Sequence, residues 1–105
     1  MTKSSDEFGL NPNSLSALRS LFIRYPQIER VVLYGSRAKG NYRPGSDIDL
    51  TLIAPRLSLS DLLKIQNEID DLLLPYKVDL SLFHQLENAD LKDHIKRAGR
   101  DFLKG

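Results

Sequence analysis

Gly35 and Ser36 are followed, after ten intervening residues, by Asp47-Ile48-Asp49, and a further acid, Asp79, interrupts the apolar run Val78-Asp79-Leu80-Ser81-Leu82-Phe83. Glycine lets the backbone turn sharply and puts no Cβ in the way of a ligand. Free N–H groups and a hydroxyl at a helix start favour an anion, phosphate above all. Carboxylates, for their part, are hard oxygen ligands that suit a divalent cation. The spacing therefore describes a turn able to hold phosphates beside three acids able to hold metal.

The elements that must position these groups follow from local pattern. Val31-Val32-Leu33-Tyr34 is a short run rich in β-branched residues, read as a strand stopped by Gly35. Ser36 stands at the expected N-cap of a short helix, and Arg37, Lys39 and Arg43 add positive charge nearby. Gly40, Asn41, Pro44, Gly45 and Ser46 make a loop dense in turn signals, before a second strand over 47–53. Side chains alternate along a strand, so Asp47 and Asp49 face one way while Ile48, Leu50 and Leu52 enter the core. The two acids then lie ~7 Å apart at about 3.3 Å per residue, within reach of metals ~3.5–4 Å apart. If the strand of Asp79 pairs with that of Asp49, a spacing of about 4.8 Å brings the acids together.

Asp47 alone is an ordinary turn residue, and Pro-Gly-Ser-Asp needs no function to explain it. Asp49 and Asp79 are different, because Asp is depleted in strands and each interrupts an apolar run. Acids ~5 Å apart repel by roughly 3 kcal/mol per pair at an effective dielectric near 20. A bound cation offsets that cost.

The rest of the chain supplies scaffold. Leu15, Leu18, Leu21 and Phe22 recur at helical spacing after Asn13 or Ser14 as a cap, with Pro26 closing the helix. Ser60 is the expected cap of a second long helix whose buried stripe is Leu62, Leu63, Ile65, Ile69, Leu72 and Leu73, ended by Pro75. A last helix is expected from about Asn88 to Leu103, with Leu91, Ile95, Ala98 and Phe102 inward. The order is helix, strand, short helix, strand, helix, strand, helix: an α/β layout with a small mixed sheet covered by helices.

Composition narrows the function classes. The 105 residues make one domain, expected over 13–105 behind a flexible polar lead at 1–12. A net charge of +1 gives no global field toward nucleic acid or membrane, and direct nucleic-acid binding is not expected. Cysteine is absent, which removes disulfides and thiol catalysis and is compatible with the cytoplasm, the expected location. The start, Met1 to Glu7, lacks the apolar stretch of a signal peptide, and no apolar run approaches membrane-spanning length. His84 and His94 lack partners at zinc-ligand spacing. Lys92, Lys96, Arg97, Arg100 and Lys104 make the last helix basic, read as a solvated face.

Together, Gly35-Ser36-Arg37-Ala38-Lys39-Gly40, Ser46-Asp47-Ile48-Asp49-Leu50 and Asp79 resemble the nucleotidyltransferase superfamily typified by DNA polymerase beta. They are most similar to its minimal nucleotidyltransferases. The resemblance runs from about Leu15 to Leu103, and its specific part is 33–53 plus Asp79. It implies two magnesium ions, one held by Asp47, Asp49 and Asp79 and one by Asp47 and Asp49. It also implies a nucleoside triphosphate, ATP, at Gly35 and Ser36 with Arg37, Lys39 and Ser46 as further contacts. The activity implied is transfer of AMP to a hydroxyl acceptor on a HEPN-type partner, in an antitoxin role. The partner could instead be a second copy of the chain. The alternatives are a non-catalytic antitoxin that masks its partner and a transferase acting on a small molecule.

Overall fold

The protein is described by a computed structural model covering residues 7–103. In chain order it contains a 3-10 turn at Glu7–Gly9, α1 (Pro12–Ile23), β1 (Arg30–Tyr34), α2 (Ser36–Lys39) and β2 (Ile48–Ile53). There follow α3 (Leu59–Asp71), β3 (Val78–Leu82), a 3-10 turn at Phe83–Gln85, α4 (Ala89–Ala98) and β4 (Arg100–Asp101). The sheet runs β3-β2-β1-β4. β1 is antiparallel to β2 and β4, whereas β2 and β3 are parallel and α3 forms the crossover between them. This is the expected mixed sheet with helices, its element order implied by the sequence pattern and its strand directions by the family resemblance.

Alternation divides the sheet into two unlike faces. Val31, Leu33, Ile48, Leu50, Leu52, Val78, Leu80 and Leu82 are buried in one cluster with Leu15, Leu18, Leu21 and Phe22 of α1 and Ile65 and Ile69 of α3. The opposite face carries Tyr34, Asp49 and Asp79 at its more open end with Ser81 beside them, whereas Thr51 and Val32 on the same face are buried, toward the end where Ile95 and Gly99 approach Val32. Apolar burial thus fixes the strands from one side and leaves the chemical groups on the other. Among the described residues no helix is long and apolar enough to cross a membrane.

Several boundaries differ from expectation, each for a local reason. α1 is capped by Asn11, not Asn13 or Ser14: Asn11 Oδ1 accepts from the Ser14 N–H at 2.8 Å, and Pro12 takes the first helical position. α3 is capped by Ser58 rather than Ser60, because Asp61 three residues on completes a reciprocal capping box. α1 and α3 stop at Ile23 and Asp71, before Pro26 and Pro75. In the expected α3 stripe, Leu63 is 64% exposed on the helix flank, and Leu73, 86% exposed, lies beyond the helix end at φ 53.

The last helix ends at Ala98 instead of Leu103. Gly99 allows the break: a Cβ there would lie 2.4 Å from the Ile95 carbonyl oxygen and 2.5 Å from Val32 Cγ1. The chain then returns as β4, and Phe102 enters the core against Phe8 and Phe22. Of the lead expected at 1–12, residues 1–6 lie outside those described. Phe8 and Leu10 are buried in the core, since they supply the apolar cover that Phe102 requires.

Candidate active site

The register of the sheet assembles the site. Asp49 on β2 is opposite Tyr34 on β1 and beside Asp79 on β3, so all three occupy one row across the open end of that face. Asp47 precedes β2 on the exposed end of the loop. Directly beneath the row, Ser81 donates its hydroxyl hydrogen to Thr51 Oγ1 at 2.9 Å, which gives the acids a polar floor.

Gly35 joins the acids to the turn. Its φ of 78° and ψ of −156° lie outside the range open to ordinary L-residues, and it stands at the N-cap of α2. Ser36, expected at that cap, is instead the first helical residue, and no side chain caps the helix. A Cβ on Gly35 would sit 2.4 Å from Asp49 Oδ2. The missing side chain therefore makes room for the carboxylate itself. The expected role, clearance for a phosphate, is thus joined by a structural one.

Arg37 does not lie among the exposed cations. It is 1% exposed, with its guanidinium donating to the Ser46 carbonyl at 2.8 and 3.1 Å, to that of Phe8 at 2.9 Å and to that of Pro44 at 3.4 Å. The rings of Tyr42 and Tyr76 flank it, with centroids 5.0 and 5.1 Å away. Its donors are used on the backbone, so it fastens the loop that delivers Asp47 rather than offering charge to a phosphate. Ser46 is similarly engaged, its Oγ accepting from the Arg43 N–H at 2.9 Å. Lys39 is exposed at the end of α2.

Electrostatics mark the row. Burial, then the charges of Asp79 and Asp47, push the Asp49 carboxyl above its usual 3.8. Burial likewise raises the Tyr34 phenol, against a hydrogen bond shared with Ser81, with Asp79 and Asp49 adding to the rise, so it stays protonated at neutral pH. Among the described residues no ion pair engages Asp49 or Asp79, so two carboxylates and a phenol share the patch. The donor set, all carboxylate oxygen, fits magnesium. Among the described residues, however, no three acidic, imidazole or thiol side chains form a ready cluster for a metal. Asp49 and Asp79 are placed together by backbone pairing, whereas Asp47 depends on its loop.

Tyr34, Thr51 and Ser81 were not among the sequence candidates. Alternation does put Tyr34 on the face of Asp49, but only once the β1–β2 register is known.

Replacing Asp49 by Asn is expected to stabilise the ligand-free protein at neutral pH. Because its folded pKa is raised, Asp49 contributes most favourably below its unfolded value of 3.8, and that contribution is lost as pH rises through the folded pKa. The melting temperature of Asp49→Asn should exceed the wild type near neutrality, and the gap should close in acid. A lower melting temperature at neutral pH would contradict this account of the acid row.

Gly35→Ala is expected to cost about 1–3 kcal/mol in denaturant unfolding, from the backbone conformation alone. Asp49→Ala should recover part of any additional loss, which a double-mutant cycle reads as coupling. Strict additivity would show that the carboxylate does not press on Gly35.

Comparison with known proteins agrees with the geometry. A crystal structure of a toxin–antitoxin complex with AMP-PNP contains a chain 23% identical, with a TM-score of 0.67, the match covering 89% of this chain and 73% of that one. A protein described as a minimal nucleotidyltransferase is 25% identical with a TM-score of 0.67, covering 93% and 98% respectively. A tri-AMPylated HEPN toxin of Shewanella oneidensis in complex with an MNT antitoxin contains a match at 17% identity and a TM-score of 0.58, covering 84% and 71%. No curated protein sequence matches the chain. The family profile described as "Polymerase beta, Nucleotidyltransferase" matches residues 16–104, nearly the whole length. With the Gly35 turn against Asp49 and Asp79 in the adjacent strand, the chain belongs to the polymerase beta nucleotidyltransferase family.

Proposed function

We propose that the protein transfers AMP from magnesium-bound ATP to a hydroxyl group on a HEPN-type protein partner, acting as an antitoxin in the cytoplasm. The observation that carries this reading is the row in which Asp49 stands beside Asp79 and against the Gly35 turn. The partner is suggested by similar folds in toxin–antitoxin complexes, one of which holds an AMPylated HEPN toxin.

Asp47, Asp49 and Asp79 are the residues that would hold magnesium. When bound, the metal neutralises phosphate charge and makes an acceptor hydroxyl easier to deprotonate. The chain's remaining task is placement. The Gly35–Ser36 turn receives the β- and γ-phosphates, with Lys39 adding exposed positive charge at the end of α2. The acceptor oxygen bonds to the α-phosphorus as the bond to pyrophosphate breaks. Asp79, exposed on the edge strand, is the carboxylate positioned to take the hydroxyl proton. Buried Arg37 keeps the loop before Asp47 in place without contacting phosphate.

Co-expression with the product of the adjacent gene, followed by incubation with labelled ATP and magnesium and intact mass spectrometry, tests the reading. The partner should gain the mass of AMP, and Asp79→Asn should abolish the gain. A stable complex without transfer would favour the masking role, and efficient transfer to a free small molecule would favour that acceptor class instead.

A further inference from the structure

We propose that the outer flank of α3 and the free edge of β3 form one surface that binds a second copy of the chain across a two-fold axis. β3 ends the sheet, and α3 is the helix that crosses to it from β2. Along α3, Leu59, Leu63 and Leu73 are 59%, 64% and 86% exposed. With Gln66 and Asp70 they follow the three- and four-residue spacing of one helix flank. Glu68, on the other flank, engages Arg24 and Tyr25 beside the end of α1, so the leucines face away from α1, toward the β3 edge. Leu73 also has φ 53, a left-handed conformation uncommon outside glycine, asparagine and aspartate. Neither the backbone nor the core of a single chain favours leucine there.

The flank is complementary to itself. Between the C-terminal half of α3 and the start of β3 runs a groove of about 500 Å³, lined by Gln66, Ile69, Asp70 and Leu73 with Tyr76 and Val78. The N-terminal half of the same flank carries the projecting Leu59 and Leu63. A two-fold axis through Gln66 sets Leu59 opposite Leu73 of the second copy, and Leu63 beside its Ile69 and Asp70. Each copy's projecting side chains then enter the other's groove, as a self-complementary interface requires.

The edge of β3 shares that axis. Val78 borders the groove beside Ile69 and Asp70. Leu80 lies about 6.6 Å further along the strand, which is about four residues back along α3 at 1.5 Å each, level with Ile65 and Gln66. The Ile48 N–H donates to the Lys77 carbonyl, so in the parallel ladder Lys77, Asp79 and Ser81 bond toward β2. The backbone N–H and C=O groups of Val78, Leu80 and Leu82 therefore point outward. An antiparallel pair centred on Leu80 satisfies them, with Val78 against Leu82 of the other copy. It also places Asp79 opposite Ser81, not opposite another acid. Strands about 4.8 Å apart set the two crossover helices about 10 Å apart, a normal helix-packing distance. About fifteen residues a side bury roughly 500 Å² each, on the scale of ~800 Å² for 20–30 residues. That area is at the low end for a specific interface, so the expected dimer is weak and reversible.

Sedimentation velocity of the full chain over rising concentration tests the surface. The wild type should pass from monomer to dimer with a Kd of about 1–100 µM. Leu63→Lys should weaken the dimer at least about ten-fold. Leu73→Gly should weaken it too, yet leave the melting temperature of the dilute monomer unchanged or higher, because glycine suits φ 53. That contrast separates association from folding. The chain has no cysteine, so a single introduced thiol links only to its own copy. Gln66→Cys should oxidise to a covalent dimer at least about ten-fold faster than Lys64→Cys, on the other side of α3. A chain still monomeric at roughly 500 µM, a dimer indifferent to both leucine substitutions, or equal oxidation of the two cysteine variants would overturn the proposal. So would a monomeric chain whose Leu63→Lys variant no longer binds the product of the adjacent gene, since the flank would then belong to that partner.

Discussion

The parallel pairing of β2 with β3 places Asp49 beside Asp79, and the arrangement of the site depends on that contact between like charges. The opposition between burial and repulsion can be weighed. Two acids ~5 Å apart repel by roughly 3 kcal/mol at an effective dielectric near 20, and less where water reaches them. On the reverse side of the same strands, Ile48, Leu50, Leu52, Val78, Leu80 and Leu82 are all buried. Each such side chain contributes about 1.5–3 kcal/mol when fully buried. Slipping β3 by one residue would relieve the acids but turn Val78, Leu80 and Leu82 away from the core. The apolar face wins, and the acids are held in opposition.

The loop that brings Asp47 to this row has few apolar residues of its own, and Arg37 takes their place as an anchor. A guanidinium this deeply buried must have its donors satisfied. The carbonyls of Phe8, Pro44 and Ser46 do so, and the rings of Tyr42 and Tyr76 cover its faces. Tyr76 in turn accepts the Asn11 N–H at 3.1 Å, which ties the entrance of β3 to the cap of α1. The Gly35 turn, the Asp47 loop and the approach to Asp79 are thereby connected through one side chain. The Gly35 side of the site is thus held by contacts well below its surface.

Much of this was legible because it depends on local pattern. The alternation around Asp49 and Asp79 gave their common outward direction, and Gly35 at the end of an apolar strand gave the turn. Other features depend on pairing between distant segments. Tyr34 joins the acid row only through the β1–β2 register, and Arg37 reads as one more cation until its distant carbonyls and rings are known. β4 is two residues long, too short for periodicity to show, and Phe102 fitted a helical repeat with Ile95 although it reaches the core from beyond Gly99. Ser58 with Asp61 has the spacing of a capping pair, but Ser60 stands nearer the apolar repeat and masks it.

The fold and family membership supply a nucleotidyltransferase scaffold, and the proposed function puts its chemistry at the acid row. The most direct measurement is the number of divalent ions held there. Titration of the protein with Mn2+ in the presence of AMP-PNP, followed by electron paramagnetic resonance, counts bound ions in the wild type and in Asp79→Asn. The account predicts two ions per chain in the wild type, as a two-metal site requires, and loss of at least one in the variant. Two ions retained with unchanged affinity after Asp79→Asn would place the metals away from the row and contradict it.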